Sequence, residues 1–330
     1  MVPMTSEEEI RCQDLRKLIL ANEPDNEYKF EISPSSYDQL KVEFGKADED
    51  DSYPRLFYDW TRQVVTIVTV PTWLHEDTTL AILSGIFNSA GSLMQREGIS
   101  LGPGQKLGWS LSPTILINDG RRKYNMQPDG VIFFKTAKGR ELKVVIEVGI
   151  SQTNDSLLEK ARKWIFDANC TIVLLLAFSE KGRYSAPLKP ISLTSQEMDD
   201  QIEQMQQRWL STNISGFGPL TFKGHTWLDE ISEGFIDVVR KGTESGRTDV
   251  MVNMKYILID NGIDSSCSVP RSIGDMRLAE LIRLESPGSS GDAADVIIDF
   301  FNSDSFMHIV RDAMIETAVN RFGNAVKLIA

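Results

Sequence analysis

Histidine and cysteine are scarce in this 330-residue chain, with three of each. His75, His225 and His308 never fall at HxxxH spacing, and Cys12, Cys170 and Cys267 lie far apart with no CxxC pair. That argues against histidine-built metal centres, most Ser-His or Cys-His nucleophile systems, a zinc cluster and a disulfide framework. Three scattered thiols suit a reducing compartment, so an intracellular place, cytoplasm or nucleus, is expected. Long apolar runs are also missing, and with them any expectation of a membrane-spanning helix or membrane partner. The N-terminal MVPMTSEEEIRC carries acids where a secretory leader carries basic residues ahead of an apolar core. Chemistry in this chain has to rest largely on carboxylates, lysines and amides.

What is present is an ordinary globular composition, 41% hydrophobic and 25% charged, with a net charge of −12. Such acidity argues against a protein whose whole surface grips nucleic acid. The charge is unevenly spread, however. Between Lys106 and Lys189 there are fourteen Lys and Arg against eight Asp and Glu, +6 locally and −18 over the remainder.

The pattern of apolar residues divides the chain into three parts. Residues 1–28 form an N-terminal helical and polar extension, with a short helix over Glu7–Ala21. Residues 29–241 form a core, and 242–330 a mostly helical α+β extension. Within the core, SPSSYDQLKVEFGK reads as a capped helix beginning after Ser33 or Ser35, and RLFYDWTRQVVTIVTV as a hairpin. Leu80, Ile82, Leu83, Ile86, Phe87, Ala90, Leu93 and Met94 mark a long helix over Asp77–Gln95, ended by Gly98. KLGWSLSPTILIN and the stretch MQPDGVIFFKTAKGRELKVVIEVGISQ supply three strands. SLLEKARKWIFDAN is a helix, and CTIVLLLAF a strand covered on both faces. The order helix, three strands, helix, strand predicts an α/β fold with a mixed central sheet flanked by helices, and a crossover that makes the last two strands parallel. TFKGHTWLDEISEGFIDVVRKG reads as strand, loop and then helix or late strand. The apolar helical face of FMHIVRDAMIETAVNRFGNAVKLI suits fold-back onto the core or a homodimer, the first being preferred.

Asp129 and Glu147 stand out because both fall in strands otherwise filled with Val, Ile and Phe. Burying a lone carboxylate costs several kcal/mol unless it is hydrogen-bonded, neutralised or bound to a cation. One reading makes Asp129 a turn cap after Pro128 and Glu147 a solvated edge residue. The other brings both to one sheet edge, where with the Val148 carbonyl they supply the oxygen ligands of a hard divalent cation. A metal so held lowers the pKa of a bound water and offsets charge on a phosphate.

QPDGVIF, an 18-residue separation, VVIEVGISQ, a helix and an apolar strand together resemble the PD-(D/E)XK nuclease superfamily. The closer similarity is to a bacterial family of restriction-endonuclease-like proteins. RLFYDWTRQVVTIVTVPTWLHEDTTLAILSGIF is similar to that family's opening hairpin, Pro-containing turn, histidine and first long helix. The resemblance covers Tyr37 to Glu180 and extends toward Lys241. It implies a restriction-endonuclease-like fold and a Mg²⁺-dependent endonuclease, with Mn²⁺ as an alternative ion. It also implies a nucleic-acid partner, DNA first, with Asp129 and Glu147 as metal ligands.

The chain departs from that pattern at Gly149, which stands where the superfamily has its lysine and cannot position water or stabilise negative charge. Gln152 and Lys160 are the candidate replacements, Lys160 from the following helix with Lys163 three residues on; both lysines also suit a solvated helix face. Glu97 reads chiefly as a surface acid at a helix end, and His75 either contacts phosphate or holds the turn. Arg121, Arg122 and Lys123 precede the first strand, while Lys135, Lys138, Arg140 and Lys143 crowd the turn after it; both groups suit a phosphate backbone or an ordinary soluble turn. Trp164 and Trp227 read as core aromatics. Two alternatives stand beside the nuclease: a catalytically inactive nuclease-fold binding module, and a hydrolase of small phosphoesters in a closed pocket.

Overall fold

The computed structural model describes residues 6–21, 27–44, 55–59, 62–68, 72–118, 123–150, 152–182, 184–187, 191–211, 216–244, 247–282 and 295–328. Its contacts divide the chain into two compact units, residues 1–72 with 115–126, and residues 73–114 with 127–330. These divisions fall elsewhere than the expected 28/29 and 241/242, and residues 242–330 belong wholly to the larger unit.

The smaller unit holds α1 (Ser6–Ala21), β1 (Glu27–Glu31), α2 (Pro34–Glu43), β2 (Arg55–Asp59) and β3 (Val64–Val68). Its antiparallel sheet has the order β1-β3-β2. Ser33 caps α2 by accepting the Ser36 N–H, and Pro34 occupies the first turn, where no N–H is needed. Cys12, Leu15 and Ile19 of α1, Leu40 of α2, and Val65 and Ile67 of β3 bury together as one small core. The expected strand KLGWSLSPTILIN is in fact two strands. In the larger unit, β4 (Lys106–Leu111) ends at Ser112, which has a left-handed φ of 44°. Then β5 (Ile115–Asn118) pairs with β6 (Lys123–Met126) as a hairpin counted with the smaller unit. Arg121 and Arg122 lie outside the described residues, as does the side chain of Lys123.

The larger unit continues with α3 (Trp73–Arg96), β7 (Gly130–Thr136), β8 (Gly139–Ile150), α4 (Asn154–Phe166), β9 (Ile172–Glu180), β10 (Ile191–Leu193) and α5 (Ser195–Ser211). Then come β11 (Leu220–Phe222), β12 (His225–Leu228), β13 (Ile231–Glu244), β14 (Arg247–Asp260), β15 (Ile263–Asp264), the short α6 (Leu278–Leu281), α7 (Ser303–Ala325) and β16 (Val326–Leu328). A seven-stranded sheet runs β15-β14-β13-β9-β8-β7-β4. Within this sheet β8 and β9 are the one parallel pair among the described strands, as the crossover through α4 requires. The segment whose class the pattern left open, ISEGFIDVVRKGTE, is the long strand β13 beside β9.

Helices α3 and α4 cover opposite faces of this sheet. A Cβ at Gly130 would meet Leu83 and Thr79 of α3, and one at Gly149 would meet Leu157 of α4. Gly130 pairs with Ile146, three residues from Gly149, so strand alternation puts the two glycines on opposite sides. On the α3 side, Ile146, Val148, Leu174, Leu176, Ile236 and Val238 join Phe306, Val310 and Met314 of α7 in the main core. The apolar face of α7 is thus spent inside this unit, and Thr317 accepts the Leu74 N–H at the start of α3. Trp227 is buried against Phe322 of α7, as its core assignment expects.

Candidate active site

The site is set by the register of β7 and β8. Gly130 faces Ile146 at the first pair of this register, and Asp129, one residue before β7, is held at that end of the strand pair by its N–H, which donates to the Ile146 carbonyl at 3.1 Å. The expected turn geometry is also there, since the Asp129 carbonyl accepts the Ser112 N–H at the end of β4. Two acids 18 residues apart in sequence therefore reach one end of one strand pair.

Asp129 has its carboxylate 20% exposed and doubly engaged. Oδ2 accepts the Val148 N–H at 2.6 Å, and Oδ1 lies 3.1 Å from His75 Nε2 at the start of α3. Burial alone would raise this carboxyl; His75, with its charge and hydrogen bond, the Lys160 ammonium and the Val148 N–H together hold it below its ordinary value near 3.8. In an extended strand the N–H and C=O of one residue point the same way, so the Val148 carbonyl faces the Asp129 side too.

Glu147 is 2% exposed on the opposite face from Val148, beneath α4. Oε1 accepts the Trp164 indole N–H at 2.6 Å, and Oε2 lies 3.5 Å from Lys160 Nζ. Both partners come from one stripe of α4, since Leu157, Lys160, Ala161 and Trp164 recur at three- and four-residue spacing. Thr153 caps the helix by accepting the Ser156 N–H. Leu157 crowds the Gly149 position: a Cβ there would stand 2.9 Å from its Cδ1, so a side chain on that residue requires Leu157 to shift.

The remaining expectations sort themselves by position. Gln152 packs beside Gly149, its Cβ 3.2 Å from where a Gly149 Cβ would sit, and its buried Oε1 has no hydrogen-bond partner among the described residues. No bond joins it to either acid among those residues. Lys163 pairs with Glu159 at 3.2 Å along the helix, the solvated reading. Glu97 pairs with Arg96 beyond the far end of α3, 22 residues from His75 and so about 33 Å along the helix, which makes it a surface acid. Lys143 is buried and paired with Glu141 at 3.1 Å, so it leaves the basic group of the turn.

Three side chains at or near the site escaped the sequence reading. By sequence His75 suits either a phosphate contact or the turn, and the structure gives it the Asp129 contact. Trp164 was placed in the core without a site role, yet a buried indole N–H needs an acceptor, and the helical spacing from Lys160 pointed to the same one. Asp237 is fully buried on β13; it faces Leu175, which faces Glu147, so all three share a row and a side of the sheet. Its signal was the one Glu147 had, an acid inside the apolar run FIDVV.

Among the described residues no group of three or more His, Cys, Asp and Glu side chains is placed to hold a metal ion, and no helix is long and apolar enough to cross a membrane. Comparisons with protein-family models, with curated proteins and with solved structures found no match to this chain.

Proposed function

We propose that the protein is a metal-dependent nuclease that hydrolyses phosphodiester bonds, DNA being its expected substrate, on a restriction-endonuclease-like core. The observation that carries this reading is the placement of Asp129, at the entry to β7, and Glu147, on β8, at one end of that strand pair, with the Lys160 ammonium 3.5 Å from Glu147 and also acting on Asp129. The core order α3, β4, β7, β8, α4, β9, with its single parallel pair, supports the fold assignment.

Asp129, Glu147 and the Val148 carbonyl are hard oxygen donors. Two carboxylates without a third suit Mg²⁺, or Mn²⁺ in its place, because Mg²⁺ keeps several waters and shares its remaining positions with substrate phosphate. Bound there, the ion would neutralise phosphate charge and acidify a water. The chain's own groups supply the rest. His75 and the Val148 N–H keep Asp129 ionised. Trp164 fixes the Glu147 carboxylate, and Lys160 brings a cation from α4 to Glu147, where Gly149 of β8 brings none.

A second reading, a nuclease fold retained as a binding module, is favoured by one observation. All four carboxylate oxygens already have protein neighbours, His75, Val148, Trp164 and Lys160. Calorimetric titration of Mg²⁺ and Mn²⁺, run beside plasmid cleavage, decides between the two. The nuclease reading expects metal heat and nicking in the wild type, and neither in Asp129→Ala/Glu147→Ala. Lys160→Ala should keep the metal heat and lose about 10²- to 10³-fold in rate, the usual cost of one charge-stabilising donor. Lys163→Ala should cut as the wild type does. Intact plasmid and no metal heat in the wild type would leave the binding module.

A further inference from the structure

The face of the sheet that carries Glu147 also carries a row of cations at its far end. Lys106 on β4 stands opposite Lys135 on β7, and Lys135 opposite Arg140 on β8. Like charges directly opposite one another destabilise a sheet, so three in one row need a reason. None of the three makes an ion pair among the described residues, and all are exposed. Glu141, the acid next to Arg140, is instead engaged by Lys143.

Alternation fixes which side the row is on. Lys135, Phe133 and Val131 share one face of β7, and Val131 pairs with Val145, which shares its face with Glu147. The β8 bulge lies between the partners of Ile132 and Phe133, so Arg140 stays opposite Lys135 on that side. Counting six residues from Asp129 to Lys135 at about 3.3 Å each puts the row about 20 Å from the acid pair. The row itself spans three strands, about 10 Å.

We propose that Lys106, Lys135 and Arg140 dock the phosphate backbone of duplex DNA at the exposed end of β4, β7 and β8 that carries the row, at a distance from the acid pair. This rests on the nuclease reading for what happens at the acids, but the docking surface stands without it. A 20 Å reach matches about six base pairs of rise, too long for a small phosphoester. Duplex is favoured over single strand because, among the described residues on this side of the sheet, Val131 and Val145 are buried and the row offers no open aromatic platform for unstacked bases. The Arg140 guanidinium lies 4.8 Å over the Phe133 ring, and exposed Trp109 alternates to the α3 side. Backbone charge is what remains to be recognised.

The test is fluorescence anisotropy with a labelled 16-base-pair duplex in EDTA, over a salt series, alongside the single strand of equal length. The Lys106→Gln/Lys135→Gln/Arg140→Gln variant should bind the duplex at least 10-fold more weakly at low salt. Its plot of log affinity against log salt should be shallower by about 2.7, since each phosphate contact contributes about 0.9. Lys106→Arg/Lys135→Arg/Arg140→Lys keeps the charges and should bind as the wild type, which separates lost contacts from lost folding. An unchanged slope in the Gln variant, or a single strand bound as tightly as the duplex, overturns the proposal. Asp129→Ala/Glu147→Ala should bind undiminished. A wild type that binds with the row-dependent slope yet never cuts supports the docking surface and removes only the cleavage.

Discussion

Two glutamates with buried side chains sit toward the carboxyl ends of the adjacent parallel strands β8 and β9, each facing a cation from a later helix, and they are held in opposite ways. Glu180, at the end of β9, takes two N–H bonds from Arg321 of α7, at 2.8 and 3.0 Å, and a third from the Asp229 N–H at 2.7 Å. Arg321 spends a further donor on the Trp227 carbonyl and lies over the Tyr184 ring. Glu147 takes a short bond from Trp164, while Lys160 stands at 3.5 Å, beyond ordinary hydrogen-bond length, on a side chain 25% exposed. A planar guanidinium fork closes the first pair from both sides, whereas a flexible ammonium leaves the second able to exchange its partner. The difference teaches that burial of an acid is no guide to its task; the geometry of its cation is.

Each prediction bears on that contrast. The largest effect belongs to Arg321→Met, which leaves Glu180 charged, buried and short of its fork; a loss of about 3–5 kcal/mol is expected from urea unfolding. If Arg321→Met costs no more than a surface substitution, the closed pair is not closed. Next comes Trp164→Phe, which keeps the packing and removes one hydrogen bond to a buried carboxylate, for about 1–3 kcal/mol. Glu147→Gln retains an acceptor for Trp164, and the Lys160 it leaves is 25% exposed and can turn to water, so its own cost should stay within about 1 kcal/mol. Its signature lies elsewhere: Mg²⁺ at a hundredfold excess over its dissociation constant should stabilise the wild type by about 2.7 kcal/mol and Glu147→Gln not at all.

The smallest effect is in acid. The Asp129 carboxyl is depressed in the folded chain, so its contribution to stability is fully present above the unfolded value of about 3.9 and is lost as pH falls from there through the folded value. His75→Gln removes the main opposing charge, and stability plotted from pH 6 to 2 should then fall less steeply in that window. A curve that overlays the wild type would show that His75 does not hold Asp129 charged.

Much of this molecule was legible in advance, for local reasons. The Ser33 cap and Pro34 place α2, the three- and four-residue spacing of Leu83, Ile86 and Ala90 places α3, and the unbroken apolar run of β9 announces a strand with both faces covered. Asp129 and Glu147 were legible because an acid in such a run needs a partner. The break at Ser112 was not, since an apolar pattern continues on both sides of it and only the left-handed turn sends β5 to another sheet.

What the sequence determined by itself is therefore the local order of elements and the types of group available for chemistry: few histidines, scattered thiols, and acids set among Val and Ile. Tertiary structure decided which of those groups meet. Register brought Asp129 and Glu147 to one end of the β7/β8 pair and lined up Lys106, Lys135 and Arg140 across three strands. Packing of α4 filled the space above Gly149 with Leu157 and brought Lys160 and Trp164 to Glu147 instead. The physical reason is that hydrogen bonding and hydrophobic periodicity act over a few residues and can be read along the chain, while register and helix docking depend on contacts between distant segments that no local pattern encodes.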